Sequence, residues 1–294
     1  MEKNKLVLGT VQLGMPYGIS NTSGQPDEIT AMSILDAALR GGIDTFDTAA
    51  AYGTSEEVIG HWIAARSLSG KVRIISKLPS SVGADERAVL SSITVSLKRL
   101  NIPKLDGYLL HSPADMESEV VMEGLKAAQD GGYVSYIGVS IYTPEEAIRA
   151  AELGFEYIQI PYNVLDQRLD KCGFFELAKE RGMKVFARGP LLQGLLVLEP
   201  RKVPSRLAYA RPYVEKFRAI ATAHGLSPVE AAFVYVFAHP GIDHIVFGVD
   251  TIVQLREILS MRMADNDECA KELRANFNDV EDRVINPSIW PKGN

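Results

Sequence analysis

Eight short apolar or β-branched runs, separated by longer amphipathic stretches, constrain this chain more than any other feature of its sequence. The runs cover residues 6–10, 43–47, 72–77, 107–111, 134–140, 157–160, 183–187 and 244–247. Each has strand length, and the stretches between them carry helical spacing of apolar residues, as at 28–40, 56–66, 86–100, 117–129, 144–153 and 174–181. Several of these end in glycine just before the next run: Gly41-Gly42-Ile43, Gly131-Gly132-Tyr133 and Gly182-Met183. Glycine stops a helix there because it enters the left-handed conformation freely. Thr143-Pro144-Glu145-Glu146 places a capping hydroxyl before a first-turn proline and two acids, which starts one.

Eight strand–helix units in 294 residues predict an α/β protein, a single (β/α)8 TIM barrel over residues 1–294. The rival is a doubly wound open sheet, which announces a glycine-rich phosphate loop after its first strand. Here Leu8-Gly9-Thr10-Val11-Gln12-Leu13-Gly14 lacks the G-x-G-x-x-G spacing and leads to Pro16 rather than into a helix. Residues 265–294 read as a helical tail ending in Asn286-Pro287-Ser288-Ile289-Trp290-Pro291, packed on the barrel.

Composition narrows the class. With 31 Lys+Arg against 37 Asp+Glu, a formal net charge of −6, and no basic block, the chain is not built for nucleic-acid phosphates. Cys172 and Cys269 are too few for a disulfide framework and lack metal-ligand spacing, so two reduced thiols in a cytoplasmic setting are expected. Met1-Glu2-Lys3-Asn4-Lys5 carries no signal-peptide apolar segment, and no stretch reads as spanning a bilayer.

Barrels of this kind carry their chemistry at the C-terminal strand ends. The second run ends Phe46-Asp47-Thr48-Ala49-Ala50-Ala51-Tyr52-Gly53, the third Ile75-Ser76-Lys77, the fourth Leu109-Leu110-His111-Ser112-Pro113. An Asp, a Tyr, a Lys and a His thus converge on one mouth. A phenol donates a proton poorly near neutral pH unless its anion is stabilised. A neighbouring ammonium provides that, and a carboxylate holds the ammonium in place. An imidazole alongside donates a hydrogen bond to a carbonyl oxygen gaining charge. The set suits reduction of a C=O group, with the hydride coming from a cofactor. Taken singly, each has a plainer reading: a turn cap, a solvated strand-end charge, a half-buried aromatic. One His and one Asp without a cysteine make a poor metal set.

These residues resemble the aldo-keto reductase family. Gly42-Ile43-Asp44-Thr45-Phe46-Asp47-Thr48-Ala49-Ala50-Ala51-Tyr52-Gly53, followed by Ser55-Glu56-Glu57-Val58-Ile59-Gly60, is similar to its signature. Lys77 and His111 stand where the family keeps its Lys and His. Ile137-Gly138-Val139-Ser140 and Gln159-Ile160-Pro161-Tyr162-Asn163 are similar to its cofactor strands. Gly189-Pro190-Leu191-Leu192-Gln193-Gly194-Leu195-Leu196 resembles its cofactor-covering loop, and Gly248 with Gln254-Leu255-Arg256-Glu257 its nucleotide-binding segment.

The resemblance implies an oxidoreductase that reduces an aldehyde or ketone with NADPH or NADH. Tyr52 would be the general acid, Lys77 would lower its pKa, Asp47 would hold Lys77, and His111 would orient the carbonyl. Ser140 and Gln159 would hold the nicotinamide carboxamide, with Gly9 and Thr10 passing close to the ring. Arg188, Gly189, Pro190, Leu191 and Gln193 would cover the cofactor, and Gly248, Asp250, Gln254 and Glu257 would meet its adenosine end. Tyr17 and Trp290 are candidate substrate walls, with rim packing the plainer role for Trp290. The same resemblance allows a second class, a cofactor-sensing module like the β subunit of potassium channels. The opening Leu-Gly-Thr-Val-Gln-Leu-Gly with Pro16-Tyr17-Gly18-Ile19 resembles a bacterial branch found among surface-polysaccharide genes, so a sugar-derived carbonyl is one expectation.

Three departures stand out. Ile141 follows Ser140 where the family keeps Asn. Arg188 stands where many relatives place an aromatic residue on the nicotinamide; a guanidinium can stack there too, or turn to a pyrophosphate or a substrate acid. Asp250 follows Val249 where NADPH-preferring relatives carry Ser, Lys or Arg, and Arg256 can compensate from the next helix. Arg201-Lys202 reads as a solvated loop. His61, His224, His239 and His244 have no carboxylate or cysteine at ligand spacing and read as structural.

Overall fold

A computed structural model describes residues 5–80, 86–261 and 266–291. Residues 1–4 of the leader and residues 265 and 292–294 of the expected tail lie outside the described residues. Eight parallel strands close into a barrel in chain order: β1 Leu6–Gly9, β2 Thr45–Asp47, β3 Arg73–Leu78, β4 Leu105–Leu110, β5 Val134–Ser140, β6 Tyr157–Pro161, β7 Lys184–Arg188 and β8 His244–Phe247. β1 closes on β8 with Leu6, Val7 and Leu8 opposite Ile245, Val246 and Phe247.

Side-chain volume explains how the barrel fills. Val7, Ile75, Leu109, Tyr157, Phe186 and Val246 form an inner cluster drawn from six strands. Tyr157 is the bulkiest. Gly107 makes room on β4, where an added Cβ would lie 3.0 Å from the Tyr157 ring, and Gly138 on β5, where one would lie 2.4 Å from the Tyr157 carbonyl. Outside the strands, helices bury their apolar stripes in the larger core. The helix Ser55–Arg66 is typical: Trp62 packs edge-on against Phe46, centroids 5.0 Å apart, and donates its indole N–H to Asp36 at 2.8 Å.

Several local readings hold and several shift. The helices Glu28–Arg40 and Glu86–Leu100 span the expected residues, and Thr143 and Glu146 form a reciprocal capping box. In the glycine pairs it is the second member that takes positive φ: Gly42 at 92° and Gly132 at 78°. A single helical turn, Val11–Gly14, does follow β1, contrary to expectation. It is too short for periodicity to show. The 117–129 stretch splits into a 3-10 turn, Pro113–Glu117, and a helix, Glu119–Asp130, because Ser118 caps the latter through the Val121 N–H. Trp290 is neither a substrate wall nor rim packing. It is 8% exposed, and its indole donates to the Val284 carbonyl at 3.2 Å.

No single helix among the described residues is long and apolar enough to cross a membrane.

Candidate active site

The C-terminal strand ends bring the expected polar residues to one rim. Asp47 closes β2, Lys77 sits one residue from the end of β3, His111 follows β4, Ser140 closes β5 and Gln159 lies inside β6. The Lys77 ammonium donates to both Asp47 oxygens, at 2.8 and 2.7 Å, and to the Thr48 carbonyl at 2.9 Å. The two side chains are 1% and 4% exposed. A charge so deeply buried is tolerable only when paired and hydrogen-bonded, as this one is. Burial works to lower the Lys77 pKa, but the Asp47 carboxylate and the Tyr52 phenol outweigh it, and the net direction is upward. Lys77 is therefore a fixed cation. The Gln159 amide donates to Asp47 from the opposite side of the barrel, so the carboxylate is held by two strands.

Tyr52 lies over this pair. The Lys77 Nζ is 5.0 Å from the centroid of its ring, and His111 meets the ring edge-on at 5.7 Å. Burial, and then the Lys77 charge, push the His111 pKa down to about 4, so the imidazole is neutral near pH 7 and offers one N–H donor.

What fixes Tyr52 is the turn that carries it. Gly53 takes φ +54°, and a Cβ there would lie 2.2 Å from the Gly14 carbonyl. A Cβ on Gly14 would fall 1.9 Å from the Tyr52 carbonyl. Two glycines thus let the Tyr52 turn press on the helical turn after β1. Below it, Ser55 Oγ meets Thr10 Oγ1 at 2.8 Å and accepts from Thr48 Oγ1 at 2.9 Å, stitching β1 to the segment after β2. Gly14, Ser55 and Thr48 were not singled out by sequence reasoning, because they act through packing.

The opposite side of the mouth is built from loops. The loop after β1 meets the loop after β7: Gln193 donates to the Tyr17 hydroxyl at 3.1 Å, and the Ile19 N–H donates to the Gln193 carbonyl at 3.0 Å. Burial raises the Tyr17 pKa. Asn21 bridges to the loop after β8, donating to Asp250 at 2.9 Å. Gln254 caps its own helix by accepting from the N–H groups of Asp250 and Thr251, at 2.7 and 3.2 Å, which occupies its oxygen. Arg188, at the end of β7, lies against Tyr142, with its Cζ 4.7 Å from the ring centroid.

These elements surround one cavity of about 610 Å³, within the range of small-molecule and cofactor sites. Asp47, Tyr52, His111, Ser140, Gln159 and Arg188 line it together, as do Gly9, Thr10, Tyr17, Gly189, Pro190, Leu191 and Gln193. Farther along come Gly248, Asp250, Gln254 and Glu257, and the tail closes the wall with Ile285, Asn286, Pro287 and Ser288. Of the residues expected at the site, Lys77 lies beneath the cavity, Trp290 and Arg256 do not border it, and the rest line it.

The residues present fit a dinucleotide. Gln12 borders the cavity, and its side-chain oxygen is buried with no hydrogen-bond partner among the described residues, an acceptor left for a ligand donor. Gly248 lets that side chain approach, since a Cβ there would lie 2.2 Å from the Gln12 oxygen. Sequence reasoning missed Gln12, which sits in the motif after β1 from which only Gly9 and Thr10 were expected at the site. Tyr142 and Arg168 also line the cavity unforeseen, and so does Asn163, from the segment expected to meet the cofactor.

Three histidines prove to have distant carboxylate partners: His61 with Glu28 at 2.8 Å, His224 with Glu272 at 2.7 Å and His239 with Asp170 at 3.3 Å. No group of three potential metal ligands occurs among the described residues. Arg201 pairs with Glu199 on the surface, away from the cavity.

Comparison with known proteins agrees with this fold. The model of the Aldo/keto reductase family matches residues 5–271. An aldo-keto reductase of Mycolicibacterium paratuberculosis is 30% identical, with 71% of this chain and 70% of the relative covered. The aldo-keto reductase str7 of Strobilurus tenacellus is 27% identical, covering 85% and 80%. Among solved structures, the holo form of an aldo-keto reductase from Bacillus halodurans shares the fold with a TM-score of 0.77, at 21% identity, over 95% of this chain and 94% of that one. With the match spanning nearly the whole barrel, the chain belongs to the aldo/keto reductase family of NAD(P)H-dependent oxidoreductases.

Proposed function

We propose that this chain reduces an aldehyde or ketone to the alcohol, with Tyr52 as the general acid. The observation that carries the reading is the buried Lys77–Asp47 pair beneath the Tyr52 ring, with His111 against that ring's edge. As the carbonyl oxygen gains negative charge, the Tyr52 hydroxyl delivers a proton to it, and the phenolate left behind faces a fixed ammonium. Asp47 keeps Lys77 charged and in place. His111, neutral near pH 7, donates a hydrogen bond that orients the carbonyl rather than competing for the proton. Tyr17 borders the substrate end.

When bound, NADPH or NADH supplies the hydride that no side chain can. Ser140 and the Gln159 amide oxygen would hold the carboxamide, with the Gln159 nitrogen committed to Asp47. Gly9 and Thr10 would border the ring through backbone, since the Thr10 hydroxyl is taken by the Asp47 carbonyl and Ser55. Gly189, Pro190, Leu191 and Gln193 would cover the cofactor, and Gln12, Gly248, Asp250, Gln254 and Glu257 would border its adenosine end. A sugar-derived carbonyl fits the polar wall that Asn163, Asn286 and Ser288 provide.

The test is consumption of reduced nicotinamide, followed by absorbance, with a panel of activated aldehydes and ketones. The expected result is turnover matched one-to-one by alcohol. Tight NADPH binding without turnover of any carbonyl would instead favour a cofactor-sensing module.

A further inference from the structure

Two arginines line the cavity, and their surroundings differ. Arg168 forks onto Asp166, Nε to Oδ1 at 2.8 Å and Nη2 to Oδ2 at 2.9 Å, so its charge is neutralised. Arg188 pairs with no carboxylate among the described residues. Its Nη2 donates to the Ile141 carbonyl at 3.0 Å, its guanidinium lies on the Tyr142 ring, and its Nε is buried without an acceptor. An aromatic face and a carbonyl hold the group in position but leave its charge uncompensated. That charge reaches the reacting end of the cavity. It adds to the effect of burial and of Lys77 in depressing His111, and it opposes the rise that burial causes at Tyr17. Asp47, which lines the same cavity, is already paired with Lys77.

A cation held half-buried and unpaired is unfavourable unless something anionic completes it. A protein that needed only a flat partner for a ring would do better with an aromatic side chain. We propose that Arg188 is an anion-binding residue of this cavity, and that the carbonyl compound reduced here carries a carboxylate or a phosphate. Both groups present the oxygen pair that a guanidinium grips through two N–H donors. The inference rests on the reductase reading for the identity of the substrate, but not for the anion site itself.

The experiment therefore measures binding as well as turnover. Benzoate, phenyl phosphate and the neutral benzamide are titrated calorimetrically into the protein saturated with NADPH. At least one anion should bind roughly ten- to a hundredfold tighter than benzamide, the worth of a charge-assisted hydrogen bond; which of the two binds tighter names the anion. Arg188→Gln should abolish that gap and leave benzamide affinity where it was. In turnover, 4-carboxybenzaldehyde should exceed 4-formylbenzamide in kcat/KM through KM, and Arg188→Gln should level them.

The proposal falls if wild type binds benzamide as tightly as both anions, or if Arg188→Gln leaves the gap intact. It also falls if the variant weakens NADPH itself while the gap persists, because Arg188 would then serve the cofactor's diphosphate. An Arg188-dependent gap with no turnover of either aldehyde, nor of any carbonyl in the wider panel, would sustain the anion site and overturn the reductase reading.

Discussion

The two halves of the barrel mouth are made differently. On the β2–β4 side, Asp47, Lys77 and Tyr52 come from strand ends and one tight turn, the charges are sealed and paired, and glycines fix the approach of the backbone. On the β7–β8 side, the lining comes from loops joined by a few hydrogen bonds among Tyr17, Ile19, Gln193, Asn21 and Asp250, and Arg188 has no carboxylate partner among the described residues. The first side is complete without a ligand; the second has donors and acceptors to spare. Preorganised charge is what a proton transfer needs, because nothing then has to reorganise as the reaction proceeds. Adjustable loops are what ligand recognition needs.

If that division is right, the largest effect should come from the smallest change on the rigid side. Tyr52→Phe removes one hydroxyl and should cut carbonyl reduction by a factor on the order of 10²–10⁴ while fold and cofactor affinity persist. Near wild-type turnover in that variant would remove Tyr52 from the proton-donor role.

Lys77→Met probes the pair beneath. It strands the buried Asp47 carboxylate, which should cost about 3–5 kcal/mol of stability by denaturant titration. Adding Asp47→Asn should recover much of that stability without restoring the rate, since the cation facing the phenolate is still gone. Where the single variant folds, its pH–rate profile should shift relative to wild type. A profile superimposable on wild type would sink the electrostatic account.

A subtler intrusion is Gly14→Ala, which replaces no catalytic side chain and presses mainly on backbone. The new methyl would meet the Tyr52 carbonyl at 1.9 Å, so the turn must move. We expect a loss of about 1–3 kcal/mol in stability, as for other overpacked sites. A kcat reduced by roughly tenfold, with cofactor affinity retained, should accompany it, because the hydroxyl is misplaced rather than removed. Unchanged kcat would mean that the turn carrying Tyr52 is less fixed than its packing implies.

The loop side should give the smallest effect. Asp250 borders the cavity, and burial raises its pKa, with Gln254 and Asn21 pulling the other way. Its charge would oppose a ribose phosphate and favour a ribose hydroxyl. NADH should therefore be used appreciably, and Asp250→Ser should raise the NADPH-to-NADH ratio of kcat/KM by roughly five- to tenfold, about 1 kcal/mol. Initial rates with both cofactors decide it; an unchanged ratio would show that Asp250 serves the Asn21 bridge alone.

Much of this was readable along the chain, for a physical reason. Strand runs, glycine stops and the Thr143 cap are local, so periodicity exposes the barrel, and the barrel forces strand-end residues such as Asp47, Lys77 and His111 onto one rim. The block from Gly42 to Gly53 resembles its family closely enough to imply a role for Tyr52. Periodicity cannot show the single turn Val11–Gly14, which is shorter than its own period, nor the burial of Trp290, which depends on where the tail lands.

What only the tertiary structure decided are the quantities that depend on distance between residues remote in sequence. That Gly14 and Gly53 position Tyr52, that Gln12 keeps a buried oxygen free, and that three histidines have carboxylate partners all arise from approaches between separate elements. The two cations make the point most directly. In the sequence, Lys77 and Arg188 are both basic residues at the end of an apolar run. In the folded chain one is neutralised by a carboxylate thirty residues away, and the other faces a carbonyl and a ring. The sequence determines that each charge stands at the mouth, because position along a strand is local. Whether a charge is satisfied there depends on what packs beside it: pairing of β2 with β3 brings Asp47 to Lys77, whereas the elements around Arg188 bring it a carbonyl and a ring.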